Sequence, residues 1–251
     1  MDPIVTGLLI FACLFSAGLL TMGIRTLLPE ANLSTETKDT VRLSMGLVAT
    51  MSGLLIGLLV ASAKTSYEVE RNGVKQMAAH INVLDQTLTN FGHEAEPVRV
   101  ILRQAVGGVI AHIWPSSGSA KTAVVPDAIW SEALPQAIQQ LVPHDESQRI
   151  FKTQATQLAL EISRMRWLLY EQTDVALPMF LMVVLVSWIS ILFLSFGLFA
   201  PTNSTVVAAL LVSAMSVSGA IFLILELDQP FAGLVQISSQ PLMNALSQLG
   251  G

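Results

Sequence analysis

Charged residues are missing from three long stretches of the chain: Pro3 to Ile24, Leu43 to Ala63, and Val175 to Leu225. A membrane-spanning helix needs roughly 20 predominantly apolar residues, each rising about 1.5 Å. The first two stretches supply one span each. The third is long enough for two and carries Pro201-Thr202-Asn203-Ser204 near its middle, a run of turn-forming residues. It therefore reads as two spans, Pro178 to Phe199 and Ser204 to Leu225. The opening residues, Met1-Asp2-Pro3, lack the basic region of a secretory leader, and the apolar stretch behind them is too long for one. The first span reads as an uncleaved helix.

Between the second and third spans the pattern changes period. Met77, Ile81, Leu84, Leu88 and Phe91 are spaced 4-3-4-3, and Ala155, Leu158, Ile162, Met165 and Leu169 are spaced 3-4-3-4. Both are heptad seams of water-soluble helices. The first runs on from span two and the second runs towards span three, which predicts an antiparallel hairpin extending both spans beyond the bilayer. Gly92 ends the first helix. Val98, Leu102, Val109 and Ile113 predict another that stops at Pro115, and a short helix is expected from Asp127 to Val142 beyond the loop Ser116 to Pro126. No alternating strand pattern occurs. The expected architecture is all-α: four transmembrane helices with an extramembrane helical hairpin domain inserted between the second and third. Its parts are 1–63 (two spans and a short loop), 64–174 (helical domain), 175–228 (spans three and four) and 229–251 (C-terminal tail).

Composition sharpens this picture. Only 12% of the 251 residues are charged while 52% are hydrophobic, against about 25% charged in an average soluble domain. Residues 64–174 hold 10 of the 13 Lys and Arg and 12 of the 18 Asp and Glu. The net charge of -5 offers no cationic field for nucleic acid, so none is expected as a partner. The single cysteine, Cys13, excludes a disulfide framework and a cysteine-rich metal site, and its apolar setting reads as a buried, inert thiol. Tyr67, Trp167 and Tyr170 fall at one membrane face as an aromatic belt, where Lys64, Arg164 and Arg166 can snorkel. Asp174 caps a helix starting near Pro178, or Pro178 kinks a continuous one.

Two counts bear on orientation. The 25–42 loop carries Arg25, Lys38 and Arg42, which favours a cytoplasmic loop, whereas Lys64, Arg71, Lys75, Arg164 and Arg166 flank the membrane on the other face. Long domains cross largely regardless of charge. The short-loop count therefore weighs more, and it puts the helical domain and both termini outside the plasma (inner) membrane.

No soluble-enzyme motif is present: no Gly-rich phosphate loop, no G-x-S-x-G, no H-E-x-x-H. His80, His93, His112 and His144 stand at no ligand spacing. No ionisable residue lies deep in a span, which argues against a proton relay or charge-coupled transport. No organic cofactor is implied.

The informative segment is Leu225-Glu226-Leu227-Asp228-Gln229-Pro230-Phe231. Acids at a helix C-terminus oppose the macrodipole, at about 0.3–1 kcal/mol each, so helix stability does not explain them. Pro230 cannot donate to the carbonyl of Glu226 and pushes Gln229 out of the helical region, so the helix should end among the acids. Residues two apart point about 200° apart on a helix, so Glu226 and Asp228 share a site only if the helix breaks or a neighbouring subunit completes it. Carboxylates with carbonyl oxygens are hard ligands, and rings of them make cation filters. A bound cation at Glu226 and Asp228 is one reading. The plainer one places both acids in the headgroup zone, paired with Lys64, Arg164 or Arg166.

Small residues form a second constellation: Gly46, Gly53, Gly57 and Ala61 on span two, and Ala209, Ser213, Ser216 and Ala220 on span four. Such stripes let membrane helices approach closely, within a chain or between subunits. They can also line a pore, with Ser213 and Ser216, and Thr50 and Ser52 of span two, as polar steps.

Three segments carry a resemblance: Gly53-Leu-Leu-Ile-Gly57-Leu-Leu-Val-Ala-Ser-Ala-Lys64-Thr-Ser-Tyr67, Phe196-Gly-Leu-Phe-Ala-Pro201-Thr-Asn203, and Ile224-Leu-Glu226-Leu-Asp228-Gln-Pro230-Phe231-Ala-Gly233. With Leu28-Pro29-Glu30 before span two, they resemble the bestrophin-like domain family of prokaryotic membrane proteins, whose function is largely undescribed. By analogy to bestrophins, the resemblance implies an oligomeric ion channel. No bestrophin motif maps residue by residue, so no site residue is carried over. The expectation is a homo-oligomeric channel in the lipid bilayer with Glu226, Asp228 and Pro230 near one pore mouth. The acids point to cations and the family analogy to anions, with the acids given more weight. A non-conducting scaffold or sensor is the other class; an enzyme is not expected, since the spans hold no nucleophile–base pair.

Overall fold

In a computed structural model the described residues are 2–25, 35–114, 129–172, 179–231 and 233–249. They form helices α1 (Pro3–Ile24), α2 (Thr35–Phe91), α3 (Glu96–Ile113), α4 (Leu134–Gln140), α5 (Glu146–Gln172), α6 (Met179–Phe199), α7 (Ser204–Leu227) and α8 (Gln240–Gln248). Among the described residues there is no strand. Four helices, α1, α2, α6 and α7, are long and apolar enough to cross a membrane. Leu28-Pro29-Glu30, the 116–126 loop, Asp174 and Pro178 lie outside the described residues, as does the side chain of Tyr170.

The chain divides into two compact units, 1–67 with 176–235 and 68–175 with 236–251. In the first, α1, α6, α7 and part of α2 share a core of Leu14, Leu59, Leu185, Phe193, Ala214 and Ile221. Local chemistry sets the helix ends. Asp2 caps α1 by accepting from the Ile4 amide at 3.1 Å, with Pro3 in the first turn. Asn203 caps α7 by accepting from the Val206 amide at 2.9 Å. The Arg25 guanidinium donates to the Ala200 carbonyl just past the end of α6, where cations suit the helix dipole. Helices α1 and α6 meet almost backbone to backbone: a Cβ on Gly197 would overlap the Gly18 carbonyl and the Thr21 hydroxyl.

In the second unit the heptad seam of α2 is the core, with Met77, Ile81, Leu84, Leu88 and Phe91 all buried. Gly73 lies against Leu169, His80 Nδ1 is 3.6 Å from Glu161 Oε2, and Gln148 Nε2 donates to the Phe91 carbonyl at 2.8 Å. Positions rise along α2 as they fall along α5, so these helices run antiparallel. Gly92, at φ +119°, ends α2 in a conformation that suits glycine. Val98, Leu102 and Val109 of α3 are buried as their spacing predicts. Trp130, which the periodicity does not single out, is fully buried and donates its indole N–H to the Ala105 carbonyl at 3.3 Å.

The structure corrects two expectations. On α5 Met165 is only partly covered, and the inner position falls to Arg166, 1% exposed. Arg166 therefore does not snorkel, and its guanidinium carbon sits 5.4 Å from the Trp167 ring centroid; the inner stripe of α5 is wider than the seam and takes in the position beside it, as at Ala159, 2% exposed one heptad earlier. Cys13 is exposed rather than buried, since the apolar residues of a membrane helix need not face a protein core.

Candidate functional site

The end of α7 is built from two different acids. The helix runs through Leu227, and Asp228 caps it in helical geometry at φ -76° and ψ -8°. Its amide donates to the Ile224 carbonyl at 3.2 Å, and the Gln229 amide donates to the Glu226 carbonyl at 3.3 Å. The chain then turns at Pro230, which is buried. The helix thus ends among the acids, as the proline requires. Because helical geometry persists through Asp228, the two carboxylates keep the divergence of positions two apart.

Their surroundings differ accordingly. Glu226 is 1% exposed. Its Oε1 accepts the backbone N–H groups of Leu234 and Val235, the latter at 3.0 Å. Gly233 makes this turn possible in two ways: its φ is +89°, and a Cβ there would collide with the Glu226 carboxylate. Asp228 is half-buried. Sequence reasoning singled out Glu226 but not its partners. The signal was present in the glycine seven residues on, but a carboxylate bonded to backbone amides leaves no side-chain partner in the sequence to find.

The small-residue stripes turn away from the first unit's own core. Gly46, Gly53, Gly57 and Ala61 are exposed, and among the described residues a Cβ on any of the three glycines would meet no atom within 4 Å. Ser213, Ser216 and Ala209 are exposed on α7 and Ala220 is half-covered. The Ser216 hydroxyl is taken up by the Val212 carbonyl at 2.8 Å. On α2, Thr50 is exposed and donates to the Gly46 carbonyl at 2.9 Å, whereas Ser52 is buried and donates to the Val48 carbonyl at 2.8 Å. On another face of α7, an apolar groove of about 490 Å³ lies against α1, lined by Gly7, Phe11, Met215, Gly219 and Phe222 and bounded by Leu234.

Two of the histidines meet acids: His80 faces Glu161, and His144 Nε2 lies 3.2 Å from Glu94 Oε1. Among the described residues no three His, Cys, Asp or Glu side chains come together as a metal cage.

Four apolar helices, one of them continuing into a packed helical unit, define a multi-pass α-helical membrane protein. A family model for the bestrophin-like domain matches residues 12–242, and the chain belongs to that family. Two crystal structures of a bacterial bestrophin homologue from Klebsiella pneumoniae, each with a point mutation, share the fold. One aligns with a TM-score of 0.69 at 11% identity over 96% of both chains. The other aligns with a TM-score of 0.65 at 11% identity, over 94% of this chain and 97% of that one. A crystal structure of a membrane protein, also a point mutant, aligns with a TM-score of 0.64 at 12% identity, over 95% of this chain and 99% of that one. No curated protein matches the chain by sequence.

Proposed function

We propose that the chain forms a homo-oligomeric ion channel of the plasma (inner) membrane. The helical unit stands outside the bilayer as a hairpin between spans two and three, and the acidic end of α7 lies at one pore mouth. Family membership supports the class. The observation that carries the assembly is the bare stripe of α2: among the described residues, a Cβ on Gly46, Gly53 or Gly57 would meet no atom within 4 Å. Small residues on membrane helices are where backbones of neighbouring helices approach. A second copy of the chain is the occupant this reading gives them, with the Ser213 and Ser216 face of α7 offering polar steps beside it.

The proposal divides the acids. Asp228, half-buried at the helix end, faces permeant ions and favours cations, and any bound cation would sit there. Glu226, buried against the Leu234 and Val235 amides, supports the turn that presents Asp228. Reconstitution in liposomes under a salt gradient tests this. The expected reversal potential lies on the cation side, and Asp228→Asn moves it towards zero. If neither Asp228→Asn nor Glu226→Gln alters selectivity, the acidic-mouth reading fails. An anion-side potential would instead support the family analogy, and no conductance at all would support the scaffold reading.

A further inference from the structure

We propose that the apolar groove between α1 and α7 seats an acyl chain of a phospholipid whose headgroup carries an ammonium, and that this lipid stays with the protein instead of exchanging freely with the bilayer.

The groove lies wholly within the first unit. Helix α1 contributes Ile4, Gly7 and Phe11, and α7 contributes Met215, Gly219 and Phe222. The two helices run antiparallel here: a Cβ on Gly7 would touch Phe222 at 3.3 Å, and one on Gly18 would touch Leu210 at 3.3 Å. Gly7 thus lets the backbones close at the floor. Among the described residues a Cβ on Gly219 would meet no atom within 4 Å, so its missing side chain leaves open space. From Ile4 to Phe11 the helix rises about 10 Å, and the groove holds about 490 Å³. That is room for a length of hydrocarbon chain but not for a helix about 10 Å across.

Water finds no partner in the groove. Ser218 brings the one hydroxyl among the described lining residues, and it donates to the Met215 carbonyl at 3.2 Å; a buried water needs two to four polar partners. An empty groove forfeits the contacts of its lining. A neighbouring subunit fits poorly, because membrane helices meet over small side chains, and two phenylalanines and a methionine wall this groove. The hydrocarbon of the bilayer remains.

Charge selects the headgroup. Ile4 and Leu234 bound the end of the groove where α1 begins and α7 ends. Asp2, Glu226 and Asp228 stand at these helix ends, and neither α1 before Arg25 nor the chain beyond Arg166 carries a Lys or Arg. An ammonium headgroup matches that charge, whereas a purely anionic headgroup is opposed by it. Leu234, whose amide the Glu226 carboxylate accepts, forms the lip. The site stands whether or not the protein conducts.

Mass spectrometry of the intact full-length protein, released from micelles holding equal parts phosphatidylethanolamine and phosphatidylglycerol, tests the assignment. The expected result is phosphatidylethanolamine retained on the wild-type chain. Gly219→Leu fills the groove from its own wall and should lower that retention by about tenfold, with the oligomer intact. Gly23→Leu places the same side chain at the far end of α1, where among the described residues a Cβ also meets nothing within 4 Å, and should leave retention unchanged. The proposal falls if phosphatidylglycerol is the lipid retained, if Gly23→Leu releases the lipid as Gly219→Leu does, or if Gly219→Leu leaves it bound. Dissociation of the oligomer by Gly219→Leu with the lipid still bound would give the groove to a second copy instead. Should Gly219→Leu fail to fold, Met215→Ala decides, since Met215 is 57% exposed and trimming it removes a wall: unchanged retention overturns the assignment.

Discussion

Helix α2 uses the same kinds of residue in opposite ways along its length. Near its start, Leu43, Leu47, Met51, Leu54 and Leu58 are all at least 50% exposed. Near its end, Met77, Ile81, Leu84, Leu88 and Phe91 are all 2% exposed or less. The difference lies in what surrounds the residues between the apolar ones. From Leu43 to Ala63 these are uncharged, so no face needs water, and apolar side chains can point outward into lipid or a neighbouring subunit. From Val74 to Phe91 they include Lys75, His80 and Asp85. Water claims that face, and the seam must turn inward. Hydrophobicity therefore marks the inside of a protein only where the solvent is water.

Four substitutions test this contrast, from the largest effect to the smallest. Phe91→Ala empties a fully enclosed site at the end of the seam and should lower stability by about 3–5 kcal/mol, read as a lower melting temperature by near-ultraviolet circular dichroism. Gly197→Ala attacks the tight side of the membrane unit. Its Cβ has no room between Gly18 and Thr21, so α1 and α6 must separate, at about 1–3 kcal/mol, measurable as earlier unfolding in a detergent titration. Asp85→Asn weakens the bond that Arg99 Nε makes to Asp85 at 2.7 Å, a pair 15% exposed on each side; about 1–3 kcal/mol is the expected loss in chemical denaturation. Gly57→Ala is the counterpart of Gly197→Ala. With nothing near its Cβ, it should leave the single chain as stable or up to about 1 kcal/mol more so, while cross-linked oligomers diminish. A Gly57→Ala chain that unfolds earlier would show that this face packs within the chain after all.

The hydrogen bonds that Arg99 donates to Asp85, working against partial burial, hold the guanidinium pKa above its ordinary value. A raised cation contributes stability that is complete below its unfolded pKa and lost only above its folded one. For an arginine that window lies beyond any working pH. Between pH 6 and pH 9 (about neutral on either side) the arginine's side of this pair should leave stability flat, and a melting series across that interval checks it.

The spans were legible because composition alone decides them: Pro3–Ile24 is found as read, and α7 runs to Leu227, only two residues past Leu225. The heptad seam of α2 was legible because five positions of one period leave a single buried face. Trp130 was not, because the single helical turn it lies in, Ile129–Ala133, has too few residues to show a period. Arg166 was not, because periodicity ranks Met165 as the apolar choice and cannot see the next residue along turning inward. At the candidate site, the helix end at Asp228 followed from Pro230. The burial of Glu226 did not, because its partners are amides that every residue possesses. The exposed glycines of α2 were recognisable as a stripe, but whether a stripe faces its own chain is decided by the neighbouring helices.

Cys13, the single cysteine of the chain, stands exposed on α1. The unmodified protein thus carries its own reporter. A polar maleimide reacts with a thiolate, which forms only where water reaches the sulfur. Rapid labelling would mark this side of α1 as wetted, and protection would mark it as sealed by lipid or by a neighbour. The answer comes from the native molecule, with no engineered residue to perturb it.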